Sequence, residues 1–71
     1  MERKEILEQL ASLESVYGLG ARKYLNDLNL GKQFICECYE SIREDRASME
    51  KHFGITLVKK IVTYAEVNCE D

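Results

Sequence analysis

The sequence predicts an all-α fold: a small bundle of three to four helices, with residues 1–71 forming a single helical domain. Apolar residues recur at the spacings of three and four positions that are typical of amphipathic helices along most of the chain. The chain contains 0 prolines, and its 4 glycines are the only strong helix breakers. No segment has a convincing strand partner, and a lone strand would leave its backbone groups unpaired. Glycine-separated helices are therefore the expected architecture.

The first predicted helix spans residues 2–17. Its apolar side chains fall on one stripe: Ile6, Leu10, Leu13 and Tyr17. Gly18 is predicted to end this helix, because glycine readily adopts the left-handed conformation that follows many helix C-termini. A second, shorter helix is predicted over residues 21–28. It must dock on its neighbours, since isolated helices of fewer than about 12 residues are marginally stable in water.

The third predicted helix is long and spans residues 30–53, because no strong breaker lies between Gly31 and Gly54. Its apolar stripe lacks a large side chain between Ile42 and Met49. At a rise of 1.5 Å per residue this helix would be about 34 Å long, which exceeds what a core of this size needs. We therefore expect its middle to project from the fold, to face a partner, or to kink near residues 47–48.

The last segment, residues 56–68, is ambiguous because it is rich in β-branched residues that favour strands. Strict alternation of apolar and polar residues nevertheless fails at Lys59 and Lys60. A helical stripe fits the same segment well: Leu57, Val58, Ile61, Val62 and Ala65. A fourth helix is therefore predicted here.

Composition restricts the class of protein. Hydrophobic residues make up 45% of the chain and charged residues 32%, which favours a folded protein over a disordered one. The apolar runs are too short to span a membrane, and the N-terminus lacks the apolar core of a secretory signal.

The 3 cysteines have no framework spacing, which favours reduced thiols and a cytoplasmic location. A core from so short a chain is marginal, so a homodimer is expected.

The residues that could carry chemistry do not form a recognisable site. Cys36, Cys38, His52 and Cys69 are the only candidate metal ligands, but Cys36 and Cys38 would point about 200° apart on a helix. His52 is the only histidine, and no serine has a base placed by local spacing. No glycine-rich phosphate loop is present. We therefore predict no metal, no cofactor and no catalytic activity.

By elimination, the sequence predicts a protein-interaction module: a regulator, adaptor or inhibitor that binds a partner protein. Tyrosine and arginine are enriched where interfaces contribute most binding energy. The predicted contacts lie mainly on the long third helix, with one tyrosine beside it: Tyr24, Phe34, Tyr39, Arg43 and Arg46.

An alternative function follows from residues 49–65, which resemble a helix-turn-helix, with Gly54 at the turn between flanking apolar residues. The resemblance implies a DNA-binding transcriptional regulator. Its DNA contacts would come from the second helix: Thr56, Lys59, Lys60 and Thr63. That motif usually has an apolar residue six positions after the glycine, where this chain has Lys60. An ordinary helix–glycine–helix corner gives the same pattern, and the net charge of −3 disfavours nucleic-acid binding.

Overall fold

The computed structural model describes the backbone of residues 2–69 and the side chains of residues 3–69. Within that range the chain contains helices and no strands, which confirms the all-α prediction. The number of helices is five, so the predicted three to four is slightly too low. In chain order they are α1 (Glu2–Ala11), α2 (Val16–Tyr24), α3 (Leu28–Glu44), α4 (Arg46–Phe53) and α5 (Ile55–Asn68).

All five helices contribute to one apolar core. Leu7, Ile35 and Ile61 are completely shielded from solvent and come from three different helices. The largest contribution is that of α5, which buries Leu57, Val58, Ile61, Tyr64 and Ala65. No charged side chain is buried among the residues that the structure describes. The helical stripe predicted for residues 56–68 therefore packs as expected.

The predicted helices 2–17 and 21–28 are wrong in their bounds, because the first break falls before Gly18 rather than at it. The first helix ends at Ala11, and α2 begins at Val16 and runs straight through Gly18. A Cβ atom built on Gly18 would overlap the carbonyl oxygen of Leu13 in the preceding turn. Glycine is thus needed here for close backbone approach, which a side chain would prevent.

The prediction of one unbroken helix 30–53 is wrong, because the chain breaks at Asp45 into α3 and α4, close to the kink that the sequence predicts as an alternative near residues 47–48. The backbone of Asp45 is non-helical, with φ −153° and ψ 83°. Its carboxylate accepts a hydrogen bond from the Ser48 N–H at 3.1 Å, as an N-cap residue does. The α4 helix then packs on both α3 and α5. No 34 Å helix projects from the fold, so an uncovered helix middle no longer argues for a partner.

Two further boundaries depend on local capping and backbone conformation. Asp27 caps α3, since its Oδ1 accepts a hydrogen bond from the Leu30 N–H at 2.8 Å, and Gly31 lies inside that helix. Gly54 separates α4 from α5 with φ +89°, a backbone conformation that residues other than glycine rarely adopt. Gly54 is therefore the one glycine that acts as the sequence predicts.

The prediction of reduced thiols is wrong for two of the cysteines. Cys36 of α3 and Cys69, which follows α5, form a disulfide with an S–S distance of 2.06 Å. The sequence argument compared Cys36 only with Cys38 on the same helix. Packing of α5 against α3, which that comparison does not include, places the Cα atoms of Cys36 and Cys69 5.6 Å apart. Cys38 remains a free, buried thiol.

Candidate interaction surface

The second helix contacts α3 through Gly20 and Tyr24. Val16, Gly20 and Tyr24 are four positions apart and so lie on the same side of α2. Gly20 leaves a gap in the middle of this row, and the ring of Phe34 from α3 fills it. A Cβ atom built on Gly20 would lie 2.5 Å from the ring carbon Cε1 of Phe34. The absence of a side chain at Gly20 therefore leaves room for the Phe34 ring against α2.

The same junction holds an aromatic pair at the protein surface. The rings of Tyr24 and Phe34 are tilted by 52°, with their centroids 6.0 Å apart, and both side chains are only half-buried. Such ring pairs contribute about 0.5–1.5 kcal/mol beyond the burial of their area. The pair is rigidly placed but still accessible, which suits a contact residue at an interface.

Further exposed aliphatic side chains lie on α2 and α3, the two helices that carry this pair. Val16 is 74% exposed and Leu19 is 62% exposed, and their spacing of three positions puts them on one face of α2. Leu30 is 43% exposed and lies one turn before Phe34 on α3. We call the combined patch the α2–α3 surface: Val16, Leu19, Lys23, Tyr24, Leu30 and Phe34.

The α2–α3 surface has a positively charged edge. The α2 helix carries Arg22 and Lys23 in its last turn and contains no acidic residue, although the chain as a whole has a net charge of −3. Lys23 Nζ lies 5.6 Å from the ring centroid of Tyr24. Arg22 Nη1 donates a hydrogen bond to the carbonyl oxygen of Ala11 and so anchors α2 to the end of α1. The charged side chains of α2 itself are therefore all positive, opposite in sign to the net charge of the chain.

The contact residues predicted from the sequence do not form one surface. Tyr24 and Phe34 meet in the ring pair, but Tyr39 follows Phe34 by five positions, about 140° around the axis of α3. Tyr39 pairs instead with Arg43, whose guanidinium carbon lies 5.7 Å from the ring centroid. Arg46 belongs to α4 and forms an ion pair with Glu50 at 3.1 Å.

The residues proposed for DNA contact line an open groove between α1 and α5 with a volume of about 300 Å³: Thr56, Lys59, Lys60 and Thr63, with Glu5 and Ile6 opposite them. Lys60 is half-buried, and its Nζ lies 3.8 Å from the carboxylate of Glu5. Lys59 is exposed. The Glu5 carboxylate partly neutralises Lys60, so little remains of the clustered positive charge that phosphate binding requires.

The candidate metal and catalytic residues are dispersed. Burial, with a smaller effect of the Glu37 charge, raises the pKa of the Cys38 thiol to about 12, so the thiol stays protonated. His52 Nδ1 lies 3.1 Å from the carbonyl oxygen of Ser48, and its ring meets the Tyr17 ring edge-on at 6.5 Å. In the described part of the chain, no three His, Cys, Asp or Glu side chains are grouped to hold a metal ion.

Sequence reasoning missed Val16, Leu19 and Leu30. A signal existed, because residues 16–24 contain two exposed aliphatic positions on one helical face and no acidic residue. The reading of Gly18 and Gly20 as helix ends concealed it, since a face cannot be traced across a break. None of the helices in residues 2–69 is both long and apolar enough to cross a membrane.

No protein-family model matches this chain, and no curated protein or solved structure is significantly similar to it.

Proposed function

We propose that this chain is a non-catalytic protein-interaction module that binds a partner protein through the α2–α3 surface. The observation that carries the proposal is the exposure of Val16 and Leu19 on α2, the helix that also contributes Tyr24 to the half-buried ring pair with Phe34. Clustered apolar exposure is characteristic of interaction sites, whereas single exposed apolar residues are ordinary. Aromatic anchors among such residues are common where binding energy is concentrated.

The partner segment that fits this surface is amphipathic, with acidic side chains beside its apolar ones. Arg22 and Lys23 supply positive charge at the edge of the apolar patch, and α2 offers no acid that would repel such a partner. Complementary charge mainly accelerates association and selects the partner, while the apolar contacts slow dissociation. The module would act as a regulator, adaptor or inhibitor by occupying this segment.

The experiment is affinity capture from the native host with matched baits. We expect the wild-type chain to retain a partner that a Val16→Glu/Leu19→Glu double variant loses. Val67→Glu is the control, because Val67 is 78% exposed but lies on α5, outside the α2–α3 surface. Equal recovery with all three baits would refute this use of the surface. All the altered residues are exposed, so circular dichroism should show intact helices throughout.

A second copy of this chain is one possible partner in that experiment. Light scattering of the purified protein measures this directly: a homodimer through the α2–α3 surface predicts a dimeric wild type and a monomeric Val16→Glu/Leu19→Glu variant. A wild type that is monomeric at high concentration assigns the surface to a different protein.

The predicted cytoplasmic location remains a prediction, and the disulfide bears on it. Structural disulfides are rare in reducing compartments and common in oxidising ones. Counting the free thiols of protein isolated under acid quench separates the two locations. A single free thiol, Cys38, would favour an oxidising compartment, whereas three free thiols would favour the cytoplasm.

DNA binding at the Gly54 corner remains the competing hypothesis. It requires Thr56, Lys59 and Thr63, which lie exposed along α5, to contact a duplex. A gel-shift titration with random duplex at low salt tests it. Tight binding that weakens steeply with salt and disappears in a Lys59→Ala/Lys60→Ala variant would displace the protein-interaction proposal. A Lys51→Ala/Lys23→Ala variant controls for the general loss of positive charge.

A further inference from the structure

The disulfide lies at the periphery of the fold rather than in its core. Cys36 is in the middle of α3 and Cys69 directly follows α5, and both are half-buried. The bond connects the end of the last helix to an earlier helix across 33 positions of sequence. Neither cysteine is among the fully buried side chains of the core.

An open cavity of about 470 Å³ lies beside Cys36. The residues around it all belong to α3 and carry an ammonium group, two amides and one carboxylate beside the cysteine: Asn29, Lys32, Gln33, Cys36 and Glu37. Lys32 is one helical turn before Cys36 and therefore lies on the same side of α3. Amides can pair with peptide groups, and the ammonium can pair with a carboxylate. This combination matches a small acidic peptide that carries a thiol.

We propose that Cys36 is a thiol–disulfide exchange site for low-molecular-weight peptide thiols of the glutathione class. The thiolate of the peptide attacks Sγ of Cys36, the bond to Cys69 breaks, and Cys69 leaves as a thiolate that takes a proton from water. A second peptide thiolate then attacks the peptide sulfur of the mixed disulfide. This step releases the oxidised peptide dimer and reduces Cys36, so two peptide thiols supply the two electrons.

The third cysteine does not interfere with this exchange. Cys38 is two positions from Cys36, so the two side chains diverge on the helix, and Cys38 is buried in the core. Because burial raises the pKa of the Cys38 thiol to about 12, almost none of it is the nucleophilic thiolate at neutral pH. Exchange at Cys36 therefore interconverts only two forms of the protein, one with the Cys36–Cys69 disulfide and one without it. Cys38 does not form an alternative disulfide.

Opening the bond would release the C-terminal end of α5. Cys69 would then be held only by its N–H, which donates to the carbonyl oxygen of Ala65 at 2.8 Å, and by neighbouring apolar contacts. The α2–α3 surface is built from other residues, so this inference goes beyond the proposed function and can fail separately from it.

The test measures opening of the disulfide in the folded protein. Oxidised protein is incubated with reduced glutathione, quenched with an alkylating agent and analysed by peptide mass spectrometry. We expect opening to be faster than global unfolding, which is measured in parallel by urea-jump fluorescence. In a Cys69→Ser variant, oxidised glutathione should form a mixed disulfide at Cys36.

A charge reversal tests the role of the cavity. Lys32→Glu should slow opening by glutathione about threefold or more at low salt, because the peptide carboxylates are then repelled. The same variant should leave opening by 2-mercaptoethanol unchanged, since that reagent carries no carboxylate. Lys51→Glu, on the exposed side of α4, is the matched control and should change neither rate.

Opening only at the global unfolding rate would overturn the proposal, as would equal effects of Lys32→Glu and Lys51→Glu. Two free thiols at Cys36 and Cys69 in air-purified protein would also overturn it.

Discussion

Removal of the disulfide by a Cys36→Ser/Cys69→Ser substitution should greatly reduce the stability of the chain. The bond closes a loop of 33 positions. In the chain-entropy description, a crosslink of this span removes enough freedom from the unfolded chain to stabilise the fold by about 4 kcal/mol. A chain of 71 residues has a total unfolding free energy of about 4–10 kcal/mol. The double variant should therefore be marginally folded, with a melting temperature lower by about 20 °C.

Urea unfolding followed by circular dichroism at 222 nm would measure this loss. Oxidised wild type, wild type in dithiothreitol and the double variant are compared at the same protein concentration. We expect the reduced wild type to match the double variant, and dithiothreitol to leave the double variant unchanged. A loss below about 1 kcal/mol, or a loss in the variant that reduction does not reproduce, would refute the assignment of this stability to the crosslink.

Three further predictions concern single residues. Gly18→Ala should lower the unfolding free energy by about 1–3 kcal/mol, because the new Cβ would overlap the Leu13 carbonyl oxygen; a chemical-denaturation midpoint equal to that of wild type would contradict this. Asp45→Ala should cost about 1 kcal/mol through loss of the hydrogen bond from the Ser48 N–H, and Asp45→Asn should restore most of it; equal stability of the two variants would rule out the capping role. The Cys38 thiol should resist alkylation at pH 8 in the folded protein and react on unfolding, because the raised pKa keeps it protonated until the pH approaches about 12. Rapid native labelling of Cys38 would show that the site is not buried.

Helix content and the apolar core could be predicted from the sequence because both follow from the regular spacing of apolar residues along the chain. Ile61 and Val58 lie on the predicted stripe of the last helix and are completely buried. The corner at Gly54 was also predictable, since its positive φ is a local property of glycine. The signals for these features, regular apolar spacing and a glycine, are local in the sequence.

The breaks in the first two thirds of the chain could not be predicted in the same way. Gly18 is required by the close approach of the Leu13 carbonyl oxygen, and Gly20 leaves room for the Phe34 ring; a glycine needed for close packing looks identical in sequence to one that ends a helix. Asp45 ends α3 without glycine or proline. Its capping role can be inferred only if the lack of large apolar residues between Ile42 and Met49 marks the end of a helix rather than its exposed middle.

The candidate sites depended on these errors. Tyr24 and Phe34 form a half-buried ring pair in the structure, and their role as contact residues stays a prediction. Tyr39, Arg43 and Arg46 were chosen for a long helix that the chain does not form, and the structure places them away from the aromatic pair. The disulfide between Cys36 and Cys69 is a tertiary feature, since α5 must pack on α3 before the two residues meet.

Site-specific photocrosslinking in the native host tests the central claim, that the α2–α3 surface binds a partner protein, most directly. A photoreactive phenylalanine analogue replaces Leu19 in one variant and Val67 in another, because both side chains are exposed and they lie on different helices. We predict a discrete crosslinked protein with the probe at residue 19 and none with the probe at residue 67. Crosslinks confined to residue 67, or no discrete product at residue 19, would contradict the claim.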